Sequence, residues 1–139
     1  MSQTTSRNTN RLLWTAQVLL ALLFVFAGTM KFVLPVEKMA GPMGFSAAFI
    51  HFIGTVELLG ALGLILPGLF RVATALTSLA AAGLVVIMIG ATTLTVIAMG
   101  VVAALFPLMV GVFAAGVAYG RWRVVPLRER HATRALRTA

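Results

Sequence analysis

The stretch Phe52-Ile-Gly-Thr-Val-Glu-Leu-Leu-Gly-Ala-Leu-Gly-Leu-Ile-Leu-Pro67 decides the fold, because it is an apolar run of helical length with one carboxylate, Glu57, near its middle. Moving a charged side chain to the centre of a bilayer costs roughly 2.5–3.5 kcal/mol on insertion scales. Such a carboxylate therefore faces a partner or a water-filled cavity rather than lipid. We expect neighbouring helices to enclose Glu57.

The composition of the chain indicates an integral membrane protein. The 139 residues are 60% hydrophobic and 10% charged, with a mean hydropathy of +1.04, which excludes an ordinary soluble domain. Segments of about 20 apolar residues cross a bilayer as helices, and four of them use most of the length. The sequence thus predicts an all-α bundle of four transmembrane helices at residues 12–34, 47–66, 72–91 and 96–119. We expect a flexible polar N-terminus at residues 1–11, a membrane domain at residues 12–120 and a basic cytoplasmic tail at residues 121–139.

The charges predict how the helices are oriented. The net charge of +8 would suggest nucleic acid in a soluble protein, but here the charges lie in the tails and turns, so we expect no nucleic-acid partner. Lys31 and Lys38 fall on or near one side of the four crossings. The arginines fall on the other side: Arg7, Arg11, Arg71, Arg121, Arg123, Arg128, Arg130, Arg134 and Arg137. By the positive-inside rule both termini are cytoplasmic, and the bilayer is the first partner.

A polar face on the first helix supplies the candidate partners of Glu57. Gln17, Phe24 and Lys31 recur every seven residues, which places them near one face of a helix. A lipid-facing Gln17 would carry an unsatisfied amide, so this face should point inward. The candidate buried polar site, for a ligand or a proton, therefore consists of Glu57, Lys31 and Gln17.

Two interpretations of this site stay open. In one, Lys31 and Glu57 form a buried ion pair that fixes helix register; in the other, they form a proton or ligand site that opens to the outer face. At about 1.5 Å per residue Glu57 lies deeper than Lys31, so a direct bond requires the lysine to reach inward or a water to bridge. Weaker candidates for the site are His51, Thr77 and Ser78.

Small residues predict where the helices approach closely. Gly54 and Gly60 flank Glu57 at helical spacing, Gly28 lies beside Lys31, and Gly111 belongs to a stripe of small residues on the last helix. The chain has no cysteine, so it cannot supply a thiolate metal or cluster site. It also lacks a metal-spaced histidine cluster, a serine nucleophile motif and a phosphate-binding loop, so we expect no catalytic residues, metal or covalently bound cofactor.

Several short motifs, in order along the chain, resemble the DoxX and DoxX-like family. They are Ala27-Gly28-Thr-Met-Lys31, Phe52-Ile-Gly54-Thr-Val-Glu57-Leu-Leu-Gly60, Leu66-Pro67, Gly90-Ala91 and Tyr119-Gly120-Arg121. The resemblance spans residues 12–121. It implies a four-helix protein of the bacterial inner membrane, in a family named after a subunit associated with quinol and thiosulfate oxidation.

Three functional hypotheses follow. The first is a non-catalytic subunit or scaffold of a membrane redox-related complex, with other membrane subunits or further copies of the chain as partners. The second is a small proton-coupled transporter, or a carrier of a lipophilic ligand, that uses Glu57. The third is an enzyme acting on quinone or lipid, for which one carboxylate, one lysine and one histidine are few functional groups.

Overall fold

The computed structural model describes residues 3–39 and 41–126, without the side chains of residues 3–6 and 42. This part of the chain is helical and contains no strand. The helices are α1 (Gln3–Val33), α2 (Val36–Met39), α3 (Ala47–Phe70), α4 (Ala75–Met99) and α5 (Val101–Tyr119), with a 3-10 turn at Gly41–Met43 and a π-helical turn at Gly120–Val124. Four of these helices are long and apolar enough to cross a membrane, which confirms the predicted fold class.

The long helices form an antiparallel ring in which α1 packs on α3, α3 on α4, α4 on α5, and α5 on α1. We call the end where α1 and α4 begin the terminal end, and the end that carries α2 the loop end. The arginines of the described residues lie at the terminal end, whereas Lys31 and Lys38 lie at the loop end. Charge is thus segregated as the sequence predicts, while the assignment of the terminal end to the cytoplasm stays a prediction.

The interior is a narrow apolar core. Phe24, Leu64 and Leu84 are almost fully buried, and Ala61, Ala81 and Ala114 keep the helices close together. Many large apolar side chains on the outer faces are exposed, among them Leu22, Phe26, Phe106 and Phe113. This pattern is the one expected where lipid rather than water is the solvent, because apolar side chains gain nothing by leaving an apolar medium.

Helix α1 begins earlier than predicted. We expect a flexible segment through residue 11, but the helix runs from Gln3. The preceding residues are polar without being helix breakers, and extending an existing helix is far easier than nucleating one. Asn10 is also held, because its side-chain oxygen accepts a hydrogen bond from Arg121 of the last turn.

Helix α3 continues past the predicted end at residue 66. Pro67 lies inside the helix, which ends at Phe70 with Arg71 in the left-handed region at φ 54°. Proline removes one backbone donor, but in a transmembrane helix the neighbouring turns and helices compensate for it. Proline normally ends a helix in water, because its ring clashes with the preceding turn, and this rule is too strict inside a membrane bundle.

The turn between α4 and α5 lies further along the chain than predicted. We expect it near Thr92–Thr95, but α4 continues to Met99, and Gly100 alone makes the turn at φ 89°. The threonines stay helical because their hydroxyls donate to carbonyls four residues earlier, as in the 2.7 Å bond from Thr92 to Met88. The φ of 89° at Gly100, with ψ at 173°, is a conformation open essentially only to glycine.

Each of the four glycines assigned to helix packing has a close neighbour on another helix. A Cβ placed on Gly28 would lie 2.9 Å from the carbonyl oxygen of Gly54, and one on Gly111 would lie 3.0 Å from the Cβ of Met88. A Cβ on Gly60 would meet Leu84, and one on Gly54 would meet Lys31 and Phe32. The close approach of α1 to α3 at Gly28 therefore leaves no space for a side chain.

We expect Gly28→Ala to destabilise the protein by about 1–3 kcal/mol, because the new methyl group meets backbone that cannot rotate away. The matched control is Gly83→Ala, where a Cβ has nothing within 4 Å. The control should be neutral or slightly stabilising, since alanine favours helix over glycine. Unfolding in mixed detergent micelles measures both, and equal stability of the two variants would contradict close packing at Gly28.

Candidate functional site

Lys31 and Glu57 form an ion pair between α1 and α3. The Lys31 Nζ donates to the Glu57 Oε2 at 2.7 Å and also to the Ala27 carbonyl oxygen at 3.4 Å. The Glu57 side chain is 5% exposed and the Lys31 side chain 20% exposed. The carboxylate is therefore enclosed and has a direct cationic partner, while the lysine keeps some access to the surroundings.

The direction of the two helices explains how residues of different depth meet. Side chains in an α-helix lean toward the N-terminus of their own helix. Because α1 and α3 are antiparallel, Lys31 leans toward the terminal end and Glu57 leans toward the loop end, so the two approach each other. Gly54 lies against the Lys31 Cβ and gives the lysine stem space to pass. No bridging water is needed at this distance.

Gln17 lies apart from this pair. It is fully buried, and its Nε2 donates to the Leu64 carbonyl oxygen at 2.6 Å. Gln17 and Lys31 are 14 residues apart on one helix, which is about 21 Å. The three residues expected to share one site thus belong to two polar centres, because a common helix face does not imply a common depth.

The second polar centre is built around Arg121, which the sequence analysis places in the tail. Arg121 is 3% exposed, and its Nε donates to the Gln17 Oε1 at 2.5 Å. Its Nη1 donates to the Asn10 Oδ1 at 2.7 Å and to the Val125 carbonyl oxygen at 3.4 Å. The Trp14 ring centroid lies 5.4 Å from the guanidinium carbon. We call this group of residues the Arg121 cluster: Asn10, Trp14, Gln17 and Arg121.

The π-helical turn Gly120–Val124 contains Arg121. Its closing bond joins the Val125 N–H to the Gly120 carbonyl oxygen at 2.8 Å. Such wide turns are frequent at functional sites, because an added residue rotates the following side chains. One sequence signal points to this centre: Asn10, Trp14 and Gln17 follow each other at helical spacing, so a polar stripe continues past the predicted start of α1.

The weaker candidates lie outside the ion pair. His51 stacks on Phe32, with ring centroids 5.0 Å apart and ring planes 9° apart. Thr77 and Ser78 are buried in the first turn of α4, at the terminal end. The Thr77 hydroxyl is buried and has no hydrogen-bond partner within the described part of the chain.

Grooves between the helices are apolar. One of about 600 Å³ runs between α1 and α5 at the terminal end, lined by residues that include Leu12, Leu13, Ala16 and Gly116. Across residues 3–39 and 41–126, histidines and carboxylates form no group of three able to hold a metal ion. The chemical groups that the structure brings together are thus an ion pair near the loop end and a buried guanidinium at the terminal end.

These features define a multi-pass membrane protein of four helices with two buried polar centres. The model of the DoxX-like family matches residues 15–117, and the chain belongs to this family. Comparison with curated proteins gives no match, and neither does comparison with solved structures. The matched range covers α1 from Thr15, all of α3 and α4, and most of α5, so it includes the Lys31–Glu57 pair but ends before Arg121.

Proposed function

We propose that the protein is a non-catalytic subunit or scaffold of a membrane complex, in which the Lys31–Glu57 pair fixes the register of α1 against α3. The observation that carries this proposal is the closed pair itself: Glu57 is enclosed and bonded at 2.7 Å to its counter-charge. A charge that already has a partner is suited to holding two helices in place, and it is poorly suited to acid–base chemistry at a substrate.

The outer surface supports this proposal. Exposed apolar side chains such as Leu22, Phe106 and Phe113 surround the bundle and can contact lipid or the helices of partner subunits. The resemblance to DoxX proteins favours a redox-related complex, whose cofactors would lie in partner chains. In this proposal the terminal end faces the cytoplasm of a bacterial cell and the protein resides in the inner membrane.

The test is purification of the natively expressed protein in mild detergent. We expect a partner membrane protein in fixed stoichiometry, and visible absorption from a redox cofactor that quinol reduces. The control is Lys31→Met/Glu57→Leu, which removes the pair without leaving a lone charge and should weaken partner retention if register matters to assembly. A single inert chain, also after cross-linking in intact membranes, would overturn the scaffold proposal.

A second candidate function is a small proton-coupled carrier, or a carrier of a lipophilic ligand such as a quinone or lipid. It is favoured by the 20% exposure of the Lys31 side chain, which leaves one partner of the ion pair accessible. If a proton or a cationic ligand displaced Lys31, Glu57 would alternate between two partners, as carboxylates in transport proteins do.

The carrier is tested by proton movement in liposomes containing the purified chain. A carrier requires ligand-driven proton movement that Glu57→Gln abolishes while the fold is retained. The matched control is Glu37→Gln, because Glu37 is an exposed carboxylate of the loop end. A scaffold predicts no proton movement in any of the three proteins, so the two proposals give opposite results.

A further inference from the structure

The Arg121 guanidinium is a buried cation whose partners are all neutral. Its acceptors are the side-chain oxygens of Gln17 and Asn10 and the carbonyl oxygen of Val125. Its Nη2 is buried and has no hydrogen-bond partner in the part of the chain that the structure describes. Buried charges in proteins are normally paired with an opposite charge, because neutral dipoles replace only part of the lost hydration. The counter-charge of Arg121 is therefore missing from the described residues.

The surroundings of Arg121 attract anions. Arg7, Arg11, Arg71 and Arg123 lie at the same terminal end. The carboxylates of residues 3–39 and 41–126 are Glu37 and Glu57, which lie toward the loop end. A membrane-proximal surface of this kind draws anionic lipid headgroups.

An apolar groove begins beside this cluster. The groove of about 600 Å³ between α1 and α5 extends from Thr9 and Leu13 along Leu19 and Phe113. Leu13 lies against Gly120, the residue before Arg121. A cationic group at the end of the bundle next to an apolar groove matches an amphiphile, with the anion at the end of the bundle and the hydrocarbon chain along its side.

We propose that the terminal end holds a specific site for one anionic phospholipid, whose phosphate pairs with Arg121 and whose acyl chain lies in the α1–α5 groove. Guanidinium is well suited to phosphate, and in Arg121 the Nη2, which has no acceptor among the described residues, is the donor available to it. The adjoining groove selects a lipid over free phosphate. Because Nη2 is enclosed by the chain, the phosphate reaches it when the turn Gly120–Val124 shifts, so this turn reports on binding.

The first test compares lipid retention by native mass spectrometry in dioleoyl phosphatidylglycerol and dioleoyl phosphatidylcholine. The wild type should retain one phosphatidylglycerol, and Arg121→Gln should lower the affinity by about tenfold or more, as expected for a charge-assisted hydrogen bond. The control Arg123→Gln removes the same charge from an exposed neighbour and should lower it by less than about threefold. Hydrogen exchange at residues 120–124 should slow in phosphatidylglycerol nanodiscs for the wild type only.

A second pair of variants tests the groove without touching Arg121. Gly116 lines the groove and has open space around it, so Gly116→Leu should fill the groove while the protein still folds. Gly90→Leu is the control, because Gly90 also has open space but lies on α4. We expect Gly116→Leu to lose phosphatidylglycerol and Gly90→Leu to retain it. If Arg121→Gln fails to fold, the comparison of Gly116→Leu with Gly90→Leu decides whether the lipid site exists.

Three outcomes would overturn the proposal. If Arg121→Gln and Arg123→Gln lowered the affinity for phosphatidylglycerol equally, the lipid would be held by general attraction to the basic surface and not by a specific site. If inorganic phosphate or glycerol phosphate slows hydrogen exchange in the turn Gly120–Val124 as much as phosphatidylglycerol does, the site binds a small anion and does not require the acyl chain. Glu129, the remaining carboxylate of the sequence, lies outside the described residues. If Glu129→Gln destabilises the lipid-free protein as much as Arg121→Gln does, the chain itself supplies the counter-charge.

Discussion

Lys31→Met will destabilise the folded protein by about 3–5 kcal/mol, because it leaves the Glu57 carboxylate enclosed without its cation. Glu57 is 4% exposed between α1 and α3 in the wild type, so its carboxylate has little access to solvent that could replace the lysine. Methionine replaces most of the lysine stem, so lost packing contributes little. The loss therefore measures the cost of an uncompensated charge.

The double variant Lys31→Met/Glu57→Leu separates this cost from the value of the pair. Replacing a buried ion pair by apolar side chains of similar volume is often neutral or stabilising, so the double variant should return to within about 1 kcal/mol of the wild type. The pair would then contribute mainly to register and little to net stability. This distinction matters for a scaffold, in which a fixed helix register presents a fixed surface to partners.

The measurement is the free energy of unfolding in mixed micelles of a mild and a denaturing detergent. Lys38→Met is the matched control, since Lys38 is an exposed lysine of the same end, and it should change stability by less than about 0.5 kcal/mol. If the double variant lost as much free energy of unfolding as Lys31→Met and Glu57→Leu lose together, the result would contradict an energetic coupling between Lys31 and Glu57.

The number and type of helices could be predicted from the sequence, because bilayer thickness and apolar length determine them almost alone. Their ends could not. Pro67 and the threonines near residue 92 are breakers or turn formers in water, but inside a membrane the backbone has no solvent partner and stays helical. Gly100 is the better signal, because the turn there adopts φ 89° and ψ 173°, a conformation open essentially only to glycine.

The polar centres were only partly predictable for a different reason. Helical periodicity gives the face on which a residue lies, and this was sufficient to orient Gln17 and Phe24 toward the interior, where both are buried. It does not give the partner at each depth, which depends on the register between helices. The burial of Arg121 could not be predicted, because an arginine after a transmembrane helix normally extends toward water. Arg121 follows the buried Val117 at helical spacing, but its acceptor Gln17 lies on α1, 104 residues earlier in the chain, so no local pattern indicates the contact.

Gln17→Leu is the variant for which we expect the second large effect, a loss of about 3 kcal/mol. Gln17 donates to the Leu64 carbonyl oxygen and accepts from the Arg121 Nε, so one side chain joins α1, α3 and the last turn. Leucine has a similar volume, which keeps the packing change small. The cost comes from leaving a charged, buried donor without an acceptor, which exceeds the cost for a neutral group.

Thr77→Val provides the opposite case at the same end of the bundle. The Thr77 hydroxyl is buried and has no partner among the described residues, so removing it should be neutral or stabilise the protein by up to about 1 kcal/mol. Unfolding in mixed micelles measures both variants. If Gln17→Leu and Thr77→Val changed stability equally, the bonds of Gln17 would contribute no more than an unpaired hydroxyl, and Arg121 would need another acceptor. A large loss in Gln17→Leu alone would instead show that Gln17 holds the guanidinium in place.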